Sequence, residues 1–241
     1  MIIRAFSLLL TLFLLSGCKG SGRFAVQSSL LGQFATAAAS SSEKGNHYRI
    51  TVRVTSEGII NLLRGKRVET YRSHGTIRKG RYYSRLFSVE KKTDKLHSLI
   101  EYRFDYAHKK IVRHFQLWEK GKRTENATDT MEYFGHDDFL TIFHNVLYQQ
   151  PKTSGKRLTV ITAAAENNHG KVPVYISSDP KRLKRWGGQA GGTLVQLGIT
   201  KAIFSGGHGS MTLVLDPQNV PESVIVKKLK VVGTVTAKPL K

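Results

Sequence analysis

Cysteine is almost absent from this sequence, since Cys18 is the only one among 241 residues. A single thiol excludes an intramolecular disulfide and a zinc site built from several cysteines. Acids and proline are also scarce, with 17 Asp and Glu against 38 Lys and Arg, and six prolines. The net charge of +21 suits anionic partners such as lipid phosphates, lipopolysaccharide, acidic glycans or nucleic acid. A proteome that is basic throughout would give the same excess, because the cations are spread along the chain.

Residues 1–17 have the layout of a cleaved secretory signal peptide. Met1–Arg4 carries one positive charge, Ala5–Leu15 is almost wholly apolar, and the small residues Ser16 and Gly17 follow. The apolar run is about a dozen residues, fewer than the roughly 20 that a membrane-spanning helix needs. Export from the cytoplasm argues against nucleic acid as a partner.

The segment Leu15–Cys18 resembles a bacterial lipobox. This resemblance implies cleavage before Cys18 and acylation of its thiol and its new amine, and two or more acyl chains hold a protein stably on a bilayer. Lys19 stands where inner-membrane retention signals of lipoproteins typically have Asp, so the resemblance favours the outer membrane, with the protein facing the periplasm. The alternative is an ordinary cleaved signal peptide that is followed by a chance cysteine.

After Gly45 the sequence alternates between apolar and polar residues, which is typical of strands with one buried face. The clearest strand segments are HYRITVRV, KLHSLIEYRFDY, IVRHFQLW, RLTVITAAAE, KVPVYIS, SMTLVLD and VIVKKLKVVGTVTA. Turns are predicted at residues 107–110, 119–122 and 167–170. We expect a mainly β fold: a single antiparallel rolled sheet or barrel-like domain with one short helix, because closure removes exposed strand edges.

The predicted helix lies in HDDFLTIFHNVLYQQP, residues 136–151, where apolar residues recur at helical spacing. Asp137 or Asp138 is expected to cap its N-terminus, and Pro151 to close it. The predicted organisation is a signal peptide at 1–17, an acylated N-terminus and first strand region at 18–45, and the remainder of one β-rich domain at 46–241. The domain itself spans about residues 24–241.

No catalytic, metal or cofactor site is predicted. The glycine-rich segments GGQAGGT and SGGHGSM do not match phosphate-binding loops or a nucleophile elbow. His136 and His144 are eight residues apart, too far along a helix to share one ion, so a helix cap and a surface histidine are expected. An enzyme would instead require His136, Asp137, Asp138 or His208 to converge in a pocket.

The sharpest charge feature is DPKRLKRWGG, in which four cations precede a tryptophan. Clustered cations beside an indole suit a membrane interface or an anionic glycan, although a solvated loop would have the same composition. Residues 78–83, RKGRYY, are a similar mixture of basic and aromatic residues. The candidate contact residues for an anionic ligand or a membrane are Lys181, Arg182, Lys184, Arg185 and Trp186.

The order of several segments resembles the bacterial envelope proteins of domain-of-unknown-function family 3108, over roughly Phe24 to Leu240. A proline usual in that family's turn is replaced here by Arg81-Tyr82. The resemblance implies an exported, rolled or barrel-like β domain and brings no activity or catalytic residue. The segments are SLLGQFATAAAS, HYRITVRVTSEGIINLL, SHGTIRKGRYYSRLFS, TDTMEYFGHDDFLTIFHNVL and LVLDPQNVPESVIVKKLKVVGTVTAKPL.

These observations favour a non-enzymatic lipoprotein of the outer membrane, which binds an amphipathic or anionic envelope component such as a lipid, lipopolysaccharide or a glycan. A structural or adaptor protein of an envelope complex, or one that contacts peptidoglycan, is the alternative. An envelope hydrolase is the third hypothesis.

Overall fold

A computed structural model of the protein describes residues 20–58, 61, 65–149, 155–163, 165–166, 169–199, 209–229 and 233–240. The predicted signal peptide, Cys18 and His208 lie outside the described residues. The helices with described bounds are α1 (Thr141–Gln149) and α2 (Pro180–Arg185). The strands are β1 (Gly20–Ser28), β2 (Gly32–Lys44), β3 (His47–Ser56), β4 (Val68–Arg78), β5 (Arg81–Lys92), β6 (Leu96–Asp105), β7 (Lys110–Glu119), β8 (Lys122–Thr130), β9 (Lys156–Ile161), β10 (Lys171–Ser177), β11 (Thr193–Ile199), β12 (Gly209–Leu215), β13 (Pro221–Leu229) and β14 (Gly233–Pro239).

The 14 strands form one sheet in the order β8-β7-β6-β5-β4-β3-β2-β1-β14-β13-β12-β11-β10-β9. Strands that are consecutive in sequence pair antiparallel, with the exception of β8 and β9, and β1 pairs with β14. The two edge strands are therefore β8 and β9, which follow each other in sequence. The predicted mainly β fold with a single antiparallel sheet is confirmed.

The strand directions place several connections at one end of the sheet, which we call the entry end because β1 begins there at Gly20. In an antiparallel sheet, alternate strands begin at the same end. The hairpins β2–β3, β4–β5 and β6–β7 therefore lie at the entry end, and so does α2, which connects β10 to β11. The hairpins β5–β6 and β7–β8 lie at the opposite end.

The sheet rolls around residues 134–149, which we call the plug segment. Apolar side chains of the plug segment belong to the same hydrophobic cluster as the buried faces of both halves of the sheet. Strand order alone would leave these halves far apart, so the shared cluster requires the sheet to curl. The buried apolar residues of the plug segment are Phe139, Leu140, Ile142, Phe143 and Val146.

Side chains connect the two edges of the sheet where ladder hydrogen bonds do not. Glu166, which follows β9, accepts hydrogen bonds from Tyr102 of β6 at 2.6 Å and from Arg113 of β7 at 2.5 Å. The Arg113 guanidinium also donates to Asp129 of β8. Asp137 of the plug segment forms an isolated parallel bridge with Thr162.

The alternation predicted for HYRITVRV agrees with the burial of β3, whereas β7 is half-buried along most of its length. In β3, Tyr48, Ile50 and Val52 are buried, whereas Arg49 and Arg53 are exposed. The predicted turns at 107–110 and 119–122 separate β6 from β7 and β7 from β8. The segment VIVKKLKVVGTVTA holds parts of two strands, β13 and β14.

Strands β4, β5, β8 and β11 and helix α2 lie outside the predicted strand segments and the predicted helix. Strand β8 has no alternation to detect, because all nine of its residues are exposed. Helix α2 has six residues, of which only Leu183 is buried, so it has no helical period of apolar residues. Helix α1 begins at Thr141, later than Asp137, because the cap at Asp138 is followed by a turn.

Asp138 fixes the plug segment to the wall of the roll. The side chain is fully buried, and its Oδ1 accepts hydrogen bonds from the backbone N–H groups of Leu140 at 2.7 Å and Thr141 at 3.0 Å. Its Oδ2 accepts from the Ser73 hydroxyl of β4 at 2.5 Å, and Ser73 is 3.0 Å from the Tyr48 hydroxyl. The predicted cap is thus also a link between α1 and the sheet.

Asn145 forms a second link between α1 and the sheet. Its side-chain amide donates to the carbonyl of Tyr82 and accepts from the Tyr82 N–H, each at 2.8 Å, as a neighbouring strand would. The same amide donates to Asp137, whose other oxygen lies 3.4 Å from the Arg81 guanidinium. Helix α1 is therefore bound to β5 by polar contacts as well as by apolar packing.

We expect the wild-type protein to be more stable, relative to an Asp138→Asn variant, at about pH 4 than at about pH 7. Burial raises the pKa of Asp138, against the opposing effect of the hydrogen bonds that it accepts. A carboxyl whose pKa is raised on folding stabilises the fold below its unfolded pKa, and this contribution is lost as the pH rises through the folded pKa. Asparagine does not titrate and keeps a capping oxygen.

Urea unfolding of both proteins across this pH range measures the difference. A difference that does not change with pH would show that Asp138 titrates alike in the folded and unfolded chains.

Candidate anion-binding surface

Helix α2 is short, and local signals set both of its ends. Asp179 is the N-cap, and its Oδ1 accepts a hydrogen bond from the Lys181 N–H at 2.9 Å, while Pro180 occupies the first turn. After Trp186 the backbone turns at Gly187, whose φ of +76° suits a residue without a Cβ. The sequence DPKRLKRWGG therefore forms a helix and a turn where a loop was the alternative.

Apolar contacts seat α2 on the outer face of the sheet. Leu183 packs against Leu194 of β11 and Val214 of β12, and Trp186 packs against the same cluster. The neighbours Val195 and Leu213 belong instead to the main core. Since successive strand residues point to opposite faces, α2 lies on the face turned away from the interior.

Because α2 packs on the sheet through Leu183, its four predicted cations face the solvent. Lys181, Arg182, Lys184 and Arg185 are all exposed. Within the described part of the chain, Arg182 is the one member of this set that forms an ion pair, with Asp179 at 3.9 Å. We call these four side chains the α2 cations.

Trp186 does not present a free ring face to a ligand in the way that the sequence suggested. It is half-buried, and the ammonium group of Lys227 lies 3.9 Å from its ring centroid. One face of the indole is thus covered by a cation of the protein itself. The ring anchors α2 and binds Lys227 beside the α2 cations.

A groove of about 590 Å³ adjoins the α2 cations. Tyr175 of β10 lies opposite Arg157 of β9, and the Arg182 guanidinium is 5.0 Å from the Tyr175 ring centroid. Sequence reasoning missed Arg157 and Tyr175, because their proximity to α2 depends on the register of β9 and β10. Other lining residues include Pro173, Gln196, Gly198 and Ser210.

The residues that a hydrolase would require are only partly brought together. His136 and Asp137 line one pocket of about 380 Å³ at the junction of the plug segment and β9. Burial, together with the positive charges of Arg81 and Lys109, lowers the pKa of His136. Asp138 points into the interior, where both of its oxygens accept capping or hydroxyl hydrogen bonds.

In the described part of the chain, no three His, Cys, Asp or Glu side chains are close enough to share a metal ion. None of its helices has the length and apolar character needed to cross a bilayer.

A rolled antiparallel sheet around helix α1 is the architecture of a β-barrel-like protein. The chain is similar to the crystal structure of a β-barrel-like protein of domain of unknown function DUF1849 from Brucella abortus. The TM-score is 0.52 at 9% sequence identity, over 92% of this chain and 95% of that chain, so the similarity shows the fold alone. No protein-family model and no curated protein matches this chain, and the resemblance to family 3108 stays a prediction.

We expect Leu183→Ala to lower the free energy of unfolding by about 2–4 kcal/mol, because it removes the buried side chain that seats α2. Leu30→Ala is the matched control: Leu30 is 68% exposed, and its truncation should change stability by less than about 0.5 kcal/mol. Denaturant unfolding measures both. Equal effects of the two substitutions would contradict the packing of α2 on the sheet.

Proposed function

We propose that this protein is a non-enzymatic lipoprotein of the outer membrane, facing the periplasm, that binds an anionic or amphipathic envelope component through the α2 cations. The observation that carries the proposal is the position of α2. It presents four exposed cations at the entry end, the same end at which β1 begins. Lipid attachment and positive charge then act at one end of the molecule.

Chain length supports the attachment at this end. Only Lys19 separates Cys18 from Gly20, where β1 begins. Each residue spans at most about 3.5 Å, so an acylated Cys18 would hold the start of β1 within roughly 10 Å of the bilayer. The entry end would face the lipid headgroups.

Surface charge supplies the second part of the binding. A Lys or Arg close to an anionic bilayer contributes about 1 kcal/mol, and this contribution falls off within a Debye length of about 8–10 Å. The α2 cations together could therefore contribute several kcal/mol at low ionic strength. Their contribution should weaken as salt is added.

The adaptor hypothesis is favoured by one separate observation. In the described strand pairings β8 is bonded to β7 alone, and its other edge leaves backbone groups available to a strand of a partner protein. Binding to an envelope protein that persists at high salt would favour this second function.

We expect Cys18→Ala to release the protein from membranes, because acyl chains contribute about 0.8 kcal/mol for each buried methylene. Fractionation of the cell envelope measures the release, and mass spectrometry of the wild-type protein should show an acylated N-terminus at Cys18. Retention of the variant in the membrane, with no acyl group on the wild type, would contradict the anchor.

The role of the α2 cations is best tested in the Cys18→Ala background, where the anchor does not contribute. Changing the four α2 cations to Gln should weaken binding to vesicles with phosphatidylglycerol by on the order of 100-fold at low salt. Binding to neutral phosphatidylcholine vesicles should stay weak in all proteins. Vesicle co-sedimentation over a range of salt concentrations measures both.

The matched control removes four exposed cations at the opposite end of the sheet. These residues are Lys95, Lys120, Lys122 and Arg123. If this control loses as much affinity as the α2 variant, net charge alone determines binding, and the proposed surface is wrong.

A further inference from the structure

A second basic pocket lies on the outer face of β4, β5 and β6, away from α2. It has a volume of about 630 Å³ and is built around a β-bulge. His74 pairs with Leu86 whereas the next residue, Gly75, pairs with Ser84, so Arg85 is the extra residue of β5. Its lining includes His74, Arg78, Tyr83, Arg85, Arg103 and Tyr106.

Gly75 allows the bulge to form. A Cβ on this residue would lie 2.0 Å from the backbone oxygen of Tyr83, which no side chain could tolerate. The close approach brings the backbones of β4 and β5 together at the point where Arg85 is inserted. A bulge of this kind redirects a side chain out of the regular strand alternation.

The register places cations from several strands beside one another. Arg49 of β3 pairs directly with His74, and Leu86 next to Arg85 pairs with Arg103 of β6. In the described part of the chain, neither Arg49 nor Arg85 has a carboxylate partner within ion-pair distance. Arg103 is 3.3 Å from Glu101, and its side chain is 67% exposed.

The β4–β5 hairpin contributes two cations that lie over the ring of Tyr83. The guanidinium of Arg78 lies 5.6 Å from the ring centroid of Tyr83, and that of Arg81 lies 5.5 Å from it. Tyr106 packs edge-on against Tyr83, with ring centroids 5.8 Å apart. The basic and aromatic mixture in residues 78–83 therefore forms one wall of the pocket.

The pKa of His74 reflects its burial and the positive charges of the arginines around it. Burial lowers its pKa, and the positive charges of Arg49 and Arg85 lower it further. Asp138 and Glu101 act in the opposite direction without reversing the shift. A bound anion would add negative charge here and raise the pKa of His74.

One carboxylate also lines this pocket. Asp105 accepts hydrogen bonds from the His108 backbone N–H at 3.1 Å and from the His108 ring at 2.6 Å. Its negative charge opposes an anionic ligand, and the hydrogen bonds with His108 reduce that effect. The positive charges of Arg78, Arg85 and Arg103 favour an anionic ligand and outnumber this one negative charge.

We propose that this pocket, formed by His74, Arg78, Arg85 and Arg103, binds a phosphate monoester, with the attached organic group against Tyr83 and Tyr106. Arginine forks match the oxygens of phosphate, and a phosphate monoester carries a charge of about −1.5 to −2 at neutral pH. The ester could belong to a lipid headgroup or to a sugar phosphate. The site shares no residue with the α2 surface, so the inference goes beyond the proposed function and holds with or without it.

Calorimetry on the purified chain with phenyl phosphate as the probe tests the pocket. We expect one saturable site, weakened about tenfold or more by Arg85→Gln and less by Arg85→Lys, which keeps the charge without the fork. The matched control is Arg53→Gln, an exposed arginine on β3 outside the pocket, which should change the affinity by less than about twofold. Circular dichroism establishes that each variant is folded.

The NMR titration of His74 gives a second measurement. At a concentration that just saturates the wild type, phenyl phosphate should raise the pKa of His74 more in the wild type than in Arg85→Gln. Equal weakening by Arg85→Gln and Arg53→Gln, absence of a saturable site, or benzoate binding as tightly as phenyl phosphate would each overturn the proposal.

Comparison of glycerol 3-phosphate with glucose 1-phosphate distinguishes the two sources of the ester, since the tighter ligand identifies the attached group. The variant that lacks the α2 cations should keep its affinity for phenyl phosphate. A failure of the vesicle experiment and a failure of the phosphate experiment are therefore distinguishable.

Discussion

The buried carboxylate of Asp138 is the interaction on which the arrangement of this fold depends. A buried carboxyl needs hydrogen-bond partners, and here two backbone amides and the Ser73 hydroxyl donate to it. Because the amides belong to the plug segment and the hydroxyl to β4, all of these hydrogen bonds form only when α1 lies inside the roll. The same contact that begins the helix therefore positions it against the sheet.

The antiparallel order of the strands determines that the cations of the β4–β5 hairpin and of α2 lie at the same end of the roll. Strands that begin at the entry end bring the hairpin with Arg78 and Arg81, the start of β1, and helix α2 to one end of the roll. No local sequence pattern predicts that the start of β1 and helix α2 lie at the same end, since Gly20 and Lys181 are far apart along the chain. It follows from the order of the sheet, in which β1 pairs with β14.

The sequence predicted strands in which apolar and polar residues alternate clearly, but it missed β4 and β5, although each of them has a buried face. Strand β3 was detectable because Tyr48, Ile50 and Val52 alternate with exposed residues. Strand β8 has no buried residue and α2 has only one, so neither has a period to detect. The composition of DPKRLKRWGG showed the cluster of α2 cations. Its helical form depends on Asp179, Pro180 and Gly187. The position of α2 on the sheet depends on Leu194 and Val214, which pack against Leu183.

The phosphate pocket could not have been found from the sequence. Its arginines come from three strands, and Arg85 reaches it because of a bulge that changes the register by one residue. The segment RKGRYY gave a partial signal, since Arg78 and Tyr83 form one wall. Cross-strand neighbours are fixed by pairing, and pairing was known only from the structure.

The two edge strands, β8 and β9, leave a gap in the hydrogen-bond ladder of the described sheet. In a closed barrel, strand number and stagger fix the circumference, because ladder hydrogen bonds continue all the way around. Here side-chain contacts at Glu166 and the volume of the plug segment take over that task. The circumference of this roll is therefore not set by a continuous hydrogen-bond ladder, because side-chain contacts at Glu166 and the packing around the plug segment hold its two edges.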